Sequence, residues 1–91
     1  MKYDIQLASQ FKKDIKKAKL QKRDLNKLLD VIKQLEIGKT LDTAYKDHML
    51  IGNYNNFREC HIEPDWLLIY RIFEDEQVLM LYRLGTHSEL F

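Results

Sequence analysis

Three histidines, His48, His61 and His87, all fall in the second half of a 91-residue chain, two of them near acids at the ends of strand-like runs. The stretch "RECHIEPDWLLIYRI" (58–72) sets His61, Glu63, Asp65 and Trp66 at the mouth of an apolar run, and "VLMLYRLG" (78–85) passes directly into "THSELF". Imidazole titrates ordinarily near about pH 6.5, so these rings can take up or release a proton close to neutrality. Arg83 adds a cation able to neutralise a phosphoryl group that gains charge in a transition state. Cleaving RNA without a metal needs these parts: a base for the 2′-hydroxyl, an acid for the departing 5′-oxygen and a cation for the phosphate. Plainer readings stand beside this one. A strand-end His is commonly a polar rim residue, Asp65 serves a turn, Arg83 pairs with a neighbouring carboxylate, and Trp66 and Phe91 fill the core. Three His and an Asp also form a legitimate zinc set, although HExxH, CxxC and His-x-His spacings are absent.

The elements that carry these residues follow from the hydrophobic pattern. "KYDIQL" alternates Tyr3, Ile5 and Leu7 with polar neighbours and predicts a half-buried first strand. Ser9 is a cap for a helix in which Phe11, Ile15 and Ala18 recur at helical spacing. A second helix carries the stripe Leu25, Leu28, Leu29, Ile32, Leu35 and stops at Gly38. The short link between them predicts an antiparallel helical hairpin. Residues 39–54 hold no sustained period and read as a loop bearing His48. Three strands follow at about 55–61, 66–73 and 77–84, the middle one, "WLLIYRIF", being almost continuously apolar, as for a central strand. The order β-α-α-β-β-β gives an α+β domain spanning 1–91, a helical hairpin packed on a small antiparallel sheet.

Register then brings the chemistry together. With Glu74, Asp75 and Glu76 as a three-residue hairpin loop, Phe73 faces Gln77, Arg71 faces Leu79 and Asp65 faces Gly85. A four-residue loop moves Asp65 opposite Thr86, so under either register His87 lands within a residue or two of Asp65. Pro64 makes "IEPDW" a turn that returns the preceding strand antiparallel, carrying His61 to the same sheet end.

Length and composition suit one soluble domain, with 45% hydrophobic and 32% charged residues. No apolar run approaches the roughly 20 residues of a membrane span, and "MKYDIQLASQ" lacks a signal-peptide core, so the expected location is cytoplasmic. The single Cys60 excludes an internal disulfide and reads as a packed strand thiol. Residues 1–46 hold twelve Lys/Arg against six Asp/Glu and residues 47–91 three against eight, net charges of +6 and −5 within a total of +1. Lys12, Lys13, Lys16, Lys17, Lys19, Lys22, Arg23 and Lys27 face only Asp14 and Asp24. Such a run is either a solvated helix face or a footprint for a polyanion.

"YKDHML", "FRECHIEPDWLLIYRI" and "YRLGTHSELF" together resemble the blocks of YafQ-type toxins in the RelE/ParE superfamily, over essentially the whole chain. The resemblance implies a RelE-like fold and a ribosome-dependent endoribonuclease, the toxin half of a bacterial type II toxin–antitoxin system. Such a toxin cuts mRNA in the ribosomal A site without a metal or other cofactor, through a 2′,3′-cyclic phosphate, and is neutralised by a DinJ-like antitoxin. The toxin–antitoxin complex is expected to bind operator DNA through the antitoxin. Carried over residue by residue, the catalytic set is His48, His61, Asp65 and His87. Phe91, Arg83, Trp66 and Lys46 are the substrate contacts. Lys12, Lys13, Lys16, Lys17, Lys19, Lys22 and Arg23 form the surface that meets ribosomal RNA. In this assignment His87 is the general acid, Asp65 or His48 the base, and His61 steadies the phosphate as an imidazolium. The negative charge of the catalytic half then requires Glu59, Glu63 and Glu89 to point away from the substrate or to raise histidine pKa values. Three other functions compete: a ParE-like toxin that poisons DNA gyrase, a catalytically dead regulator bound to its antitoxin, and a small zinc-dependent hydrolase.

Overall fold

The apolar stripe of residues 25–36 forms the expected helix, although Leu29 of that stripe is 50% exposed and Val31 is buried in its stead. In a computed structural model describing residues 2–91, helix α2 (Leu25–Glu36) buries Leu28, Val31, Ile32 and Leu35. Asp24 caps its start by accepting from the backbone N–H groups of Asn26 and Lys27. Gly38, at φ +79°, ends it in a Schellman arrangement, with Gly38 N–H donating to the Leu35 carbonyl and Lys39 N–H to that of Gln34. Helix α1 (Ser9–Leu20) inserts Phe11 and Ala18 into the same core. Its cap position is Ala8 rather than Ser9, and no side chain caps it. The strand before it ends at Leu7 as read, and the helix starts one residue earlier than a Ser9 cap implies.

The helices cover one face of a five-stranded sheet ordered β1-β5-β4-β3-β2, with α1 over β5 and α2 over β3. The strands are β1 (Asp4–Leu7), β2 (His48–Met49), β3 (Arg58–Glu63), β4 (Trp66–Phe73) and β5 (Val78–Gly85). The expected α+β architecture is therefore present, with differences in strand direction, edge exposure and the added strand β2. First, β1 runs parallel to β5, making the sheet mixed. Side-chain alternation specifies a strand's faces but not its direction, which the helical crossover imposes. Second, β1 is an exposed edge, with Ile5 37% and Leu7 43% accessible, while Tyr3 just before it is buried. The segment expected to be a plain loop carries 3₁₀ turns at Thr43–Tyr45 and Gly52–Tyr54 and the two-residue β2 between them. Asn56, left-handed at φ +76°, delays β3 to Arg58.

The core on the helix side includes Trp66, Leu68 and Tyr70 of β4. A smaller cluster on the opposite face joins Leu67 and Ile69 to Leu90, Leu50, Tyr54, Phe57 and Tyr82. Both faces of β4 are thus covered, as its unbroken apolar run required. Among the described residues no helix is long and apolar enough to cross a membrane.

Candidate active site

The β4–β5 hairpin sets the geometry on which the site depends. Phe73 pairs with Val78 and Arg71 with Met80, so the loop has four residues, and Gln77 closes it at φ +54°. Farther along, Tyr70 pairs with Leu81 but Ile69 with Arg83, leaving Tyr82 as an extra residue on β5. The bulge advances the register once more, to Leu67 opposite Gly85. Asp65 consequently meets His87 itself, one residue beyond the four-residue-loop expectation. Its Oδ1 accepts from the His87 backbone N–H at 2.9 Å and from ring Nδ1–H at 2.6 Å. These two bonds, the backbone one first, hold the Asp65 carboxyl below its ordinary range.

His87 opens a short helix, α3 (His87–Leu90), closed by a capping box. Thr86 N–H donates to Glu89 Oε1 at 2.8 Å, and Glu89 N–H returns a bond to Thr86 Oγ1 at 3.3 Å. Lys17 of α1 pairs with the same Glu89 carboxylate and ties α3 to the helical layer. The sequence reading missed this helix, although Thr86-x-x-Glu89 is a capping-box signature. Of the two alternatives for Glu89 the first holds, its carboxylate being engaged by Lys17 and the Thr86 N–H.

Glu59 does not point away. It is 4% exposed and its Oε1 lies 3.0 Å from His61 Nε2 and 3.9 Å from His48 Nε2. Of the two alternatives left open for it, facing away fails and proximity to the histidines holds: Glu59 and His61 are two apart on β3, a spacing that puts both on one face. His48 is opposite Glu59 on β2, and its Nδ1 sits 2.6 Å from the Lys46 carbonyl. Since a carbonyl only accepts, Nδ1 carries the proton there and the neutral ring presents a lone pair at Nε2. Ring centroids run 6.4 Å from His48 to His61, 5.5 Å from His61 to His87 and 6.5 Å from His87 to Phe91. Ligand atoms of Glu59, His61 and His87 lie within 4.8 Å of one another, a geometry that a metal ion could also use.

The remaining expected contacts divide. Phe91 is 60% exposed and packs edge-on to Tyr54 at 5.4 Å, beside the histidines. Trp66 is 1% exposed within the helix-side core, with the Arg23 guanidinium 5.5 Å from its ring. Trp66 is corrected to a core residue, since a buried indole has no free face for a base. Arg83 donates from Nε to Asp14 of α1 at 2.9 Å, and Leu84 N–H bonds the same carboxylate oxygen. Its expected carboxylate partner exists, on a helix rather than a strand. Lys46 is exposed at left-handed φ +50°, its carbonyl serving His48. Lys12, Lys13, Lys16, Lys19 and Lys22 are exposed, whereas Lys17 is paired with Glu89 and Arg23 with Glu63.

Comparison with known proteins matches residues 3–91 to the family described as the bacterial toxin of type II toxin–antitoxin systems, YafQ. The mRNA interferase toxin YafQ of Escherichia coli K12 is 41% identical over 90 residues, covering 97% of this chain and 95% of that protein. Among solved structures, the E. coli DinJ–YafQ toxin–antitoxin complex contains a chain 38% identical, with a TM-score of 0.89 and coverage of 100% and 99%. A metal-bound toxin from Helicobacter pylori is 44% identical, with a TM-score of 0.92 and coverage of 98% and 99%.

Proposed function

The chain belongs to the YafQ family of bacterial toxins from type II toxin–antitoxin systems, and from that premise we propose that it is a ribosome-dependent mRNA interferase acting by acid–base catalysis. The observation that carries the mechanism is the convergence of His48, Glu59, His61, Asp65 and His87 on one sheet face beside Phe91. Residues 1–91 act as one RelE-like domain in the cytoplasm. A DinJ-like antitoxin neutralises the domain, and the pair binds operator DNA through the antitoxin.

His48 is the general base. Its Nδ1–H is spent on the Lys46 carbonyl, so Nε2 accepts the 2′-hydroxyl proton. The 2′-oxygen then attacks phosphorus, and the P–O5′ bond breaks to leave a 2′,3′-cyclic phosphate. Asp65, bound twice through Oδ1 by His87, serves to orient that ring, which supports giving the base role to His48. With Nδ1–H on Asp65, His87 delivers the proton to the leaving 5′-oxygen from Nε2. His61, its Nε2 directed at Glu59, steadies the phosphate when doubly protonated. Arg83 contributes positive potential and Phe91 stacks on the mRNA, with Lys46 at the rim. The exposed lysines of α1 and its turn bind ribosomal RNA phosphates.

The test is cleavage of ribosome-bound mRNA by purified toxin, with mapping of a cyclic phosphate at the cut. Absence of cleavage by wild-type protein that arrests growth would turn the reading toward a gyrase-type poison.

A second reading is favoured by the Glu59–His61–His87 cluster and by the metal-bound relative. A zinc or copper ion held there would use the imidazole that must carry the proton, so metal binding and acid catalysis exclude one another at His87. Toxin stripped with chelator before mixing with ribosomes is expected to keep its activity and to lose it on adding zinc or copper. Loss on stripping, with recovery at about one metal per chain, would install the metal-dependent mechanism instead.

A further inference from the structure

Strand β2 has only two residues, His48 and Met49, paired with Glu59 and Arg58. Two rungs on a sheet edge do not by themselves fix an imidazole that is 51% exposed. The residue just before it is held far more firmly. Asp47 receives Arg58 Nε at 3.4 Å, Arg58 Nη2 at 3.1 Å and the Tyr70 hydroxyl at 2.5 Å. Arg58 and Tyr70 are register partners on β3 and β4, so both project from one face, and Tyr70 belongs to the helix-side core. Alternation then sends the next side chain, His48, to the opposite face, where Glu59 and His61 stand.

We propose that Asp47, Arg58 and Tyr70 are positioning residues that clamp the 43–49 segment to the helix side of the sheet and thereby present His48 to the catalytic face. The proposal rests on His48 being the base. Burial, and then the Asp47 carboxylate, push the Tyr70 phenol far up, so the hydroxyl stays protonated and donates. Asp47 thus gathers a buried neutral donor and a charged fork, a combination that sets both the distance and the angle of the backbone that follows. None of the cluster's side-chain hydrogen bonds reaches the rings of His48, His61 or His87, and its shortest link to His48 is the peptide bond from Asp47.

The test uses Tyr70→Phe, which deletes one oxygen, and Asp47→Asn, which keeps shape but removes the charge facing Arg58. Both are compared with wild type by thermal unfolding, by the ring resonances of His48 and His87, and by single-turnover cleavage on ribosomes. Folded variants are expected to bind ribosomes normally and cleave about 10- to 100-fold more slowly, the range for slight misplacement of a reacting group. In a His48→Ala background the same substitutions should cost less than about twofold, because the shared effect is already lost. His48 ring signals should shift or broaden while those of His87 hold. Equal losses in both backgrounds, or unchanged His48 resonances, overturn the proposal. If Tyr70→Phe fails to fold, Asp47→Asn and Arg58→Lys carry the same comparison. If wild-type protein proves not to cleave RNA, the catalytic reading falls by itself. The resonances then decide, a change confined to His48 supporting the clamp and none overturning it.

Discussion

Replacing His87 with Gln separates hydrogen bonding from proton transfer. In the wild type, Asp65 holds His87 twice, and the 2.9 Å bond from the backbone N–H survives any side-chain change. The capping box of Thr86 and Glu89 and the Lys17 pair also remain, so α3 stays docked. The His87 side chain is 53% exposed, so removing the ring should change stability by no more than about 0.5 kcal/mol. What disappears is the group proposed to give up a proton at Nε2. One general acid is worth on the order of 10²–10⁴ in rate, which is about 3–5 kcal/mol of barrier. The assay is single-turnover cleavage of ribosome-programmed mRNA at saturating toxin, with ribosome binding measured separately. The loss should fall on the chemical step and leave binding intact. A substrate with sulfur in place of the bridging 5′-oxygen departs without protonation, and His87→Gln should cut it at nearly the wild-type rate. Near-wild-type cleavage of ordinary mRNA, or an equal defect on both substrates, would remove His87 from the acid role and shift it to His48 or His61.

Other outcomes are expected. Lys17 first, and then the Thr86 N–H, hold the Glu89 carboxyl at about 2 instead of 4.5, so its stabilising contribution is full above 4.5 and disappears as pH falls toward 2. Glu89→Gln should therefore lose about 1–2 kcal/mol at neutral pH, a figure discounted for the solvent exposure of Lys17, and nothing near pH 2; parallel urea melts with a constant gap across that window would refute it. Reversing Lys12, Lys13 and Lys16 to Glu should weaken ribosome binding and flatten its salt dependence, while affinity unchanged over a salt series would make that run a solvated face. Cys60 is fully buried and burial pushes its thiol up, so native protein should resist maleimide until unfolded. Rapid labelling of the folded chain would contradict its packing.

Much of this architecture could be read from residues alone, because the signals were local. The stripe of α2 and the unbroken run of β4 each name an element and its environment. The approach of Asp65 to His87 followed from counting along a hairpin, although the count stopped one residue short. A bulge at Tyr82 leaves no period-2 trace in "LMLYRL", since several apolar residues are consecutive there. Direction was equally hidden in β1, whose Tyr3, Ile5 and Leu7 alternate identically in a parallel or an antiparallel partner. Net charge left open whether Glu59 turns away from the histidines or toward them, and its two-residue offset from His61 is the signal that decides. Arg83 and Asp14 are 69 residues apart, and a pair at that separation is written only in the packing of α1 against β5.

The parallel pairing of Asp4–Leu7 with Val78–Leu81 also sets a clock. Synthesis proceeds at about 5–20 residues per second, so β1 waits roughly 4–15 s for the strand that completes it. Both helices are made in that interval with Phe11, Ala18, Leu28 and Ile32 lacking the sheet they will cover. His87 is translated two positions after β5 ends, later still than every strand. A nascent chain halted before β5 holds His48, Glu59 and His61 but neither the strand that completes the sheet order nor His87. The proposed reactive arrangement therefore assembles only after residues 78–87 have been made, and shorter nascent chains lack it.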